Sequence, residues 1–176
     1  MDRATRRFRQ VVDDLAGRWL RDGLPSRQTM METAVSLDQM RSDLKVKSLW
    51  HQAPRILTAT LDDGIGQGLT VIEAFAAAIG MTVIPIGLMQ TPDIVIDACR
   101  QHVPRFLGLT VLQFDTKDDL LSISKALPTA TRIVAGGPVF SADPDFAGRT
   151  GIHFAARHVA DFLRIMLATA TSPTPT

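Results

Sequence analysis

The chain has 176 residues, 45% of them hydrophobic, with 19 basic and 18 acidic residues and a formal charge of +1. That size suits one sizeable core with a small helical extension, and the near-balanced charge signals neither a nucleic-acid surface nor an acidic partner. A single cysteine, Cys99, excludes an intramolecular disulfide framework and a cysteine-rich zinc site; the N-terminus MDRATRRFRQ lacks a secretory apolar stretch, and no run approaches the roughly 18 apolar residues of a membrane span, so the expected location is cytoplasmic.

From Arg7 to Leu20, the apolar residues Phe8, Val11, Val12, Leu15 and Trp19 recur at three- and four-residue steps and predict an amphipathic helix ending near Gly23. Arg3, Arg6, Arg7 and Arg9 read as a solvated face near its start. Pro25 fits a new start, and Met30, Met31, Ala34, Leu37, Met40 and Leu44 predict a second helix over 26–46, its methionines serving as core filler. After Leu49 short β-branched runs alternate with helical patterns. Strands are predicted over 55–60, 81–86, 106–112, 131–135 and 152–155; helices over 67–79, 91–102, 116–126, 143–148 and 157–169. This alternation predicts an open parallel sheet covered on both faces, and the simplest topology for five strands is the flavodoxin-like (Rossmann-like) order 2-1-3-4-5. The expected organisation is an N-terminal helical segment over 1–50, an α/β domain over 51–170 and a disordered tail over 171–176, which has nothing to bury.

In that topology ligands gather where the strand order reverses, at the carboxyl ends of the first and third strands. The segments there are LDDGIGQG (61–68) and TVLQFD (110–115), with AGGPVF (135–140) beside them. Gly64, Gly66, Gly68, Gly136 and Gly137 either admit a ligand close to the backbone or simply make short loops. A phosphate cradle at a helix N-terminus does not fit: GIGQGL lacks both the GxGxxG spacing and the Lys-Ser/Thr of a P-loop, and Asp62 and Asp63 would repel phosphate. A second reading joins Asp62, Asp63 and Asp115 into a receiver-like acidic site for a hard cation such as Mg²⁺. Against it, the fourth strand ends in Ala-Gly-Gly rather than Ser or Thr, the fifth, IHFAAR, offers no lysine, and Asp115 is followed by TKDDL.

A third reading covers more of the chain. Taken together, DDGIGQGLTVIEAFAAAIGMTVIPIG, LGLTVL, VAGGPVF and GIHFAARHVADFLRIM resemble the cobalamin-binding domain of corrinoid methyl carriers, methionine synthase and the carbon-skeleton mutases, over about residues 53–168. In that family a DxHxxG loop follows the first strand, SxL ends the third and GG ends the fourth. Gly66 matches the last position of the first motif, Thr110 and Leu112 match SxL conservatively, and Gly136 with Gly137 matches GG. The segment LPSRQTMMETAVSLDQMRSDLK looks like the last helix of the small bundle that precedes this domain in methyl carriers. Only two helices fit in residues 4–46 where that bundle has four, and the expectation is that two copies complete it as a homodimer.

The resemblance implies a cobalamin (corrinoid) cofactor contacted by Asp62, Asp63, Gly64, Ile65, Gly66, Thr110, Leu112, Gly136, Gly137, Pro138, Phe140 and Phe154, with the Thr110 hydroxyl bonding a buried nucleotide tail. It departs from the family at one point. The histidine of DxHxxG binds cobalt, and its aspartate orients the imidazole; here Asp63 stands at the histidine position and Leu61 at the aspartate position. A carboxylate is a harder ligand than imidazole. Three outcomes follow: cobalamin bound base-on, with its own dimethylbenzimidazole coordinated; cobalamin bound with no protein ligand; or the fold kept and the cofactor lost. His51, His102, His153 and His158 read as surface or satisfied core residues, and Trp19 and Trp50 as packing residues. No nucleophile-base constellation stands out. The expected role is that of a non-catalytic cofactor-binding subunit, a methyl carrier or cofactor-loaded regulatory module serving a partner methyltransferase or regulatory protein.

Overall fold

The computed structural model describes residues 2–171. In chain order its elements are helices α1 (Arg3–Asp22) and α2 (Arg27–Asp43), strand β1 (Arg55–Thr60), α3 (Gln67–Ala78), β2 (Thr82–Gly87), α4 (Pro92–His102), β3 (Phe106–Thr110), α5 (Lys117–Ala126), β4 (Arg132–Gly136), the short α6 (Val139–Ala142) and α7 (Phe146–Thr150), β5 (Phe154–Ala155) and α8 (Val159–Thr171). Of the tail expected to be disordered, Thr171 closes α8 and 172–176 lie outside the described residues. The sheet has the order β2-β1-β3-β4-β5, with β1 on β3, β3 on β4 and β4 on β5 all parallel. It is the flavodoxin-like arrangement that the alternation of short apolar runs and helical patterns predicts.

Most boundaries fall within two residues of expectation, and the larger differences have local causes. The first helix begins at Arg3 because the Asp2 carboxylate caps it, accepting the Thr5 amide at 2.7 Å, a contact worth about 1 kcal/mol. The second helix stops at Asp43, short of the expected 46, where Lys45 turns to φ 55°. The third strand ends at Thr110 rather than residue 112, since the amides of Leu112 and Gln113 turn aside to the Asp62 carboxylate. The helix expected over 143–148 is two helices, α6 and α7, with Pro144, which has no N–H to donate, between them. The fifth strand is only two residues long.

Contacts divide the chain into two compact units. One takes in the chain up to Pro54, Val71–Thr82 and the C-terminal helix from Val159; the other is Arg55–Thr70 with Val83–His158. In the first, α1 buries Phe8, Val12, Leu15, Ala16 and Trp19, and the Trp19 ring meets Phe75 edge-on at 5.5 Å. Helices α1 and α8 are tied by the Arg9 guanidinium, which donates to the Leu167 carbonyl at 2.7 Å, and by the Arg164–Asp13 ion pair at 2.7 Å. Arg9 is therefore engaged within the fold rather than only solvated. Arg41 donates to the carbonyls of Ala78, Val46 and Lys47. Helix α2 buries only Ala34 and Leu37 and leaves Val35 and Met40 exposed.

In the second unit, strand alternation sorts the sheet residues onto two faces. Leu57, Ala59, Leu107, Leu109, Ile133 and Ala135 join Val95, Ile96 and Cys99 of α4, Leu120 and Ile123 of α5, and Val139, Phe140 and Phe146 in one apolar cluster. Ile56, Thr58 and Thr60 of β1 point to the other face, in register with Phe106, Gly108 and Thr110. Cys99 is fully buried, and burial pushes its thiol up to about 11. Native protein should therefore react with an aromatic disulfide reagent at no more than about one-hundredth of the rate of an unfolded cysteine, and labelling along a urea titration should track the loss of the circular dichroism signal.

Candidate functional site

Three loops leave the carboxyl edge of the sheet, after β1, β3 and β4. The first is built around Thr60, the fully buried last residue of β1. Its hydroxyl donates to the Asp63 carbonyl and accepts the Met89 amide at 2.9 Å, while its carbonyl accepts the Gln90 amide at 2.8 Å. One residue thus holds the turn after β1 against the turn after β2.

Asp63 closes the loop on itself: its Oδ1 accepts the amides of Ile65 at 2.8 Å and Gly66 at 3.1 Å, the turn an aspartate makes with backbone two and three residues on. Asp63 is only 9% exposed. Gly66 sits at φ +70°, and a Cβ there would lie 2.6 Å from the Leu88 Cδ2, so the loop needs glycine for both conformation and space.

Asp62 reaches across to the second loop. Its carboxylate accepts the Leu112 amide at 2.9 and 3.0 Å and the Gln113 amide at 2.7 Å. These charge-assisted bonds join segments fifty residues apart that are neighbours because β1 pairs with β3. The third loop is pressed against the second. Val111 donates its amide to the Gly136 carbonyl at 2.9 Å, and a Cβ on Gly137, at φ +130°, would lie 1.9 Å from the Val111 carbonyl oxygen. No residue but glycine fits at that position.

The register aligns Thr60, Thr110 and Gly136 across three adjacent strand ends. Around them stand large apolar side chains facing water: Ile65 at 76% exposure, Met89 at 59%, Phe114 at 47%, with Leu88 and Leu112 less open. Gly64 and Pro138 are exposed beside them. Phe140 is buried, tilted against Phe146, which also takes the Phe114 ring edge-on at 5.1 Å. Phe154 is in register with Val134 and so stands on the opposite side of the sheet from the cluster holding Phe140. Sequence reasoning missed Thr60, Leu88, Met89 and Phe114. The signal for Leu88 and Met89 was the apolar pair in GLMQ, where a turn after a strand is ordinarily polar.

The acidic residues do not make a cation site. Asp62 and Asp63 are engaged by backbone amides, and Asp115 lies exposed in the 3₁₀ turn Phe114–Thr116. Among the described residues no group of three or more His, Cys, Asp or Glu side chains converges to hold a metal ion. Nor is any helix among them long and apolar enough to cross a membrane. His153 is a satisfied structural residue: its Nδ1 accepts the Ile133 amide at 3.0 Å. Burial first, and then the charge of Arg132, hold its pKa below the ordinary value.

The B12 binding domain family matches residues 55–162, a span that contains all three loops. No curated protein sequence matches the chain. Among solved structures, a cobalamin-binding protein from Desulfitobacterium hafniense DCB-2 aligns at a TM-score of 0.77 and 19% identity, over 93% of this chain and 80% of that one. The methanol:cobalamin methyltransferase complex from Methanosarcina barkeri aligns at 0.65 and 18%, over 92% of this chain and 64% of that one, so this chain spans less than two thirds of its length. The monomethylamine corrinoid protein of the same organism aligns at 0.59 and 13%, over 93% and 96%. At these identities the likeness is one of fold.

Two outcomes test the loop architecture. Asp62→Ala should cost about 1–2 kcal/mol in urea unfolding and speed hydrogen exchange at Leu112 and Gln113, whereas Gly137→Ala should cost at least about 3 kcal/mol. For His153, a lowered folded pKa means that its contribution to stability is complete above the unfolded value of about 6.5 and is lost as pH falls through the folded value. An NMR titration should put its midpoint below about 6.5, and His153→Gln should narrow the stability difference between about pH 7.5 and about pH 5.

Proposed function

The chain belongs to the B12 binding domain family, and from that premise we propose that it binds a cobalamin or related corrinoid across the carboxyl ends of β1, β3 and β4. It presents the cofactor, as a methyl carrier or a cofactor-loaded regulatory module, to a partner methyltransferase or regulatory protein. The observation that carries this reading is the apolar surface of Ile65, Leu88, Met89, Leu112 and Phe114 around aligned strand ends. Such a surface suits the face of a large, flat, mostly apolar ring.

The residues fit the ring but not a protein ligand to its metal. Gly136 and Gly137 keep the third loop free of side chains, and the half-buried Thr110 offers a hydroxyl to polar groups at the ring's edge. Asp63, at the family's histidine position, turns its carboxylate inward to the amides of Ile65 and Gly66. The cofactor is accordingly read as bound base-on, its own dimethylbenzimidazole remaining coordinated. A bound corrinoid would supply the group-transfer chemistry; the chain's part is to position it and to shield one face from water. The sparsely buried α2, with Val35 and Met40 exposed, supports a homodimer through the N-terminal helices.

Purified protein mixed with hydroxocobalamin or methylcobalamin should elute from gel filtration with the corrinoid attached and with an absorbance spectrum of base-on cofactor; the elution volume reports the dimer. In electron paramagnetic resonance of the reduced Co(II) form, uniform ¹⁵N labelling of the protein should leave the axial nitrogen splitting unchanged, since the nitrogen is the cofactor's. No retention of either cobalamin at high micromolar concentration overturns the binding reading, and a splitting altered by the label overturns the base-on assignment.

A further inference from the structure

Strand β5 closes one edge of the sheet, paired with β4, and is two residues long. Val134 stands opposite Phe154 and Ala135 opposite Ala155, and just beyond them the Ala156 amide donates to the Ala135 carbonyl at 2.8 Å. At the other end of the strand the bond is of a different kind. The Ile133 amide donates to the imidazole Nδ1 of His153 at 3.0 Å, where a ladder ordinarily offers a backbone carbonyl. A strand this short has few bonds to hold it, and one of them ends on a nitrogen that can take a proton.

A ring nitrogen that accepts an amide must be unprotonated, so this bond requires the neutral ring with the proton on Nε2. His153 is exposed, and protons reach it from solvent. The charges on the surrounding elements are cationic or already matched. Arg132 of β4 disfavours the charged ring; α5 carries Lys125 in its last turn, beside the Ser124 against which Gly151 lies; and Arg149 of α7 is paired with Asp143. Residues 150–156 bring no charge besides His153 itself, and Arg157 and His158, which follow β5, are themselves engaged.

The bond at His153 is linked through β5 to the carboxyl edge of the sheet. The Ala156 carbonyl lies so close to Gly136 that a Cβ there would be 2.7 Å from its oxygen, and the Gly136 carbonyl in turn accepts the Val111 amide at 2.9 Å. β5 and the residue after it are thus one wall of the third loop. We propose that His153 is a proton-operated latch: its neutral ring holds β5 on β4, and protonation releases β5, drawing the Ala156 carbonyl off Gly136 and loosening the third loop. The latch is closed at neutral pH and opens in mildly acidic surroundings, because a released ring takes a proton near the ordinary histidine value of about 6.5, whereas a latched ring must first give up its bond. It needs no cofactor and is independent of the corrinoid reading.

The test is amide hydrogen exchange by NMR on the whole chain, corrected for the intrinsic pH dependence of exchange. From about pH 7.5 to about pH 5.5, protection of the Ile133 and Ala156 amides should fall about tenfold relative to the amides of β3, the ratio expected when only the released ring gains a proton. His153→Gln offers an amide oxygen in place of Nδ1 and should abolish the pH dependence, whereas His153→Ala should leave protection low at both pH values. An equal fall at β3 would mean global unfolding, and an undiminished fall in His153→Gln would assign the effect to another group; either result overturns the latch, as does pH-independent protection in the wild type. Should neither variant fold, the wild-type protein decides. The hydrogen-bond scalar coupling between the Ile133 nitrogen and His153 Nδ1 should vanish as the ring gains its proton, with Ala156 exchange rising over the same pH range, and exchange unmoved by that loss overturns the proposal.

Discussion

Four backbone amides at the carboxyl edge of the sheet, those of Ile65, Gly66, Leu112 and Gln113, bond to the side chains of two consecutive aspartates. Left without partners, such groups would need water or a ligand, and the turns carrying them would be free to move. With Asp63 drawing the first loop in and Asp62 binding it to the second, the strand ends become a defined surface. Thr60 extends the same arrangement to the turn after β2.

That arrangement decides which side chains face outward. With both carboxylates turned toward backbone, Ile65, Leu88, Met89, Leu112 and Phe114 stand exposed on the loops, beside Gly64 and the polar Gln113 and Asp115. An acidic stretch of sequence thus stands among exposed apolar side chains. Under the function proposed above, such a surface suits the holding of a ring, and a carboxylate already bonded to two amides is a poor candidate to ligate a metal as well. Asp63 instead stabilises its own loop, its carboxylate held by the amides of Ile65 and Gly66.

Much of the fold was legible in the sequence because its signals are local. The β-branched runs RILTAT and TRIVA, the helical spacing of Val95, Ile96 and Cys99, and the regular alternation between such segments carry the strand and helix assignments, and the alternation carries the parallel topology. Where local signals compete, the boundaries moved: Val111 and Leu112 have strand-like side chains, yet the ladder stops at Thr110. The glycine pair at 136–137 was also legible as a place of close approach, though not what approaches it, the Val111 carbonyl.

The sequence by itself determined the family resemblance, the sheet order and the inward turn available to Asp63, whose bonding partners lie two and three residues away and so need no tertiary structure. Only the tertiary structure decided what Asp62 does, because its partners at 112 and 113 become neighbours through the pairing of β1 with β3. It also gathered Leu88, Met89 and Phe114 around that bridge, and set Phe140 and Arg157 in one cleft. The physical reason is the range of the information: periodicity and turn chemistry act over a few residues, whereas a binding surface at a sheet edge is assembled from loops whose proximity exists only once the strands have paired.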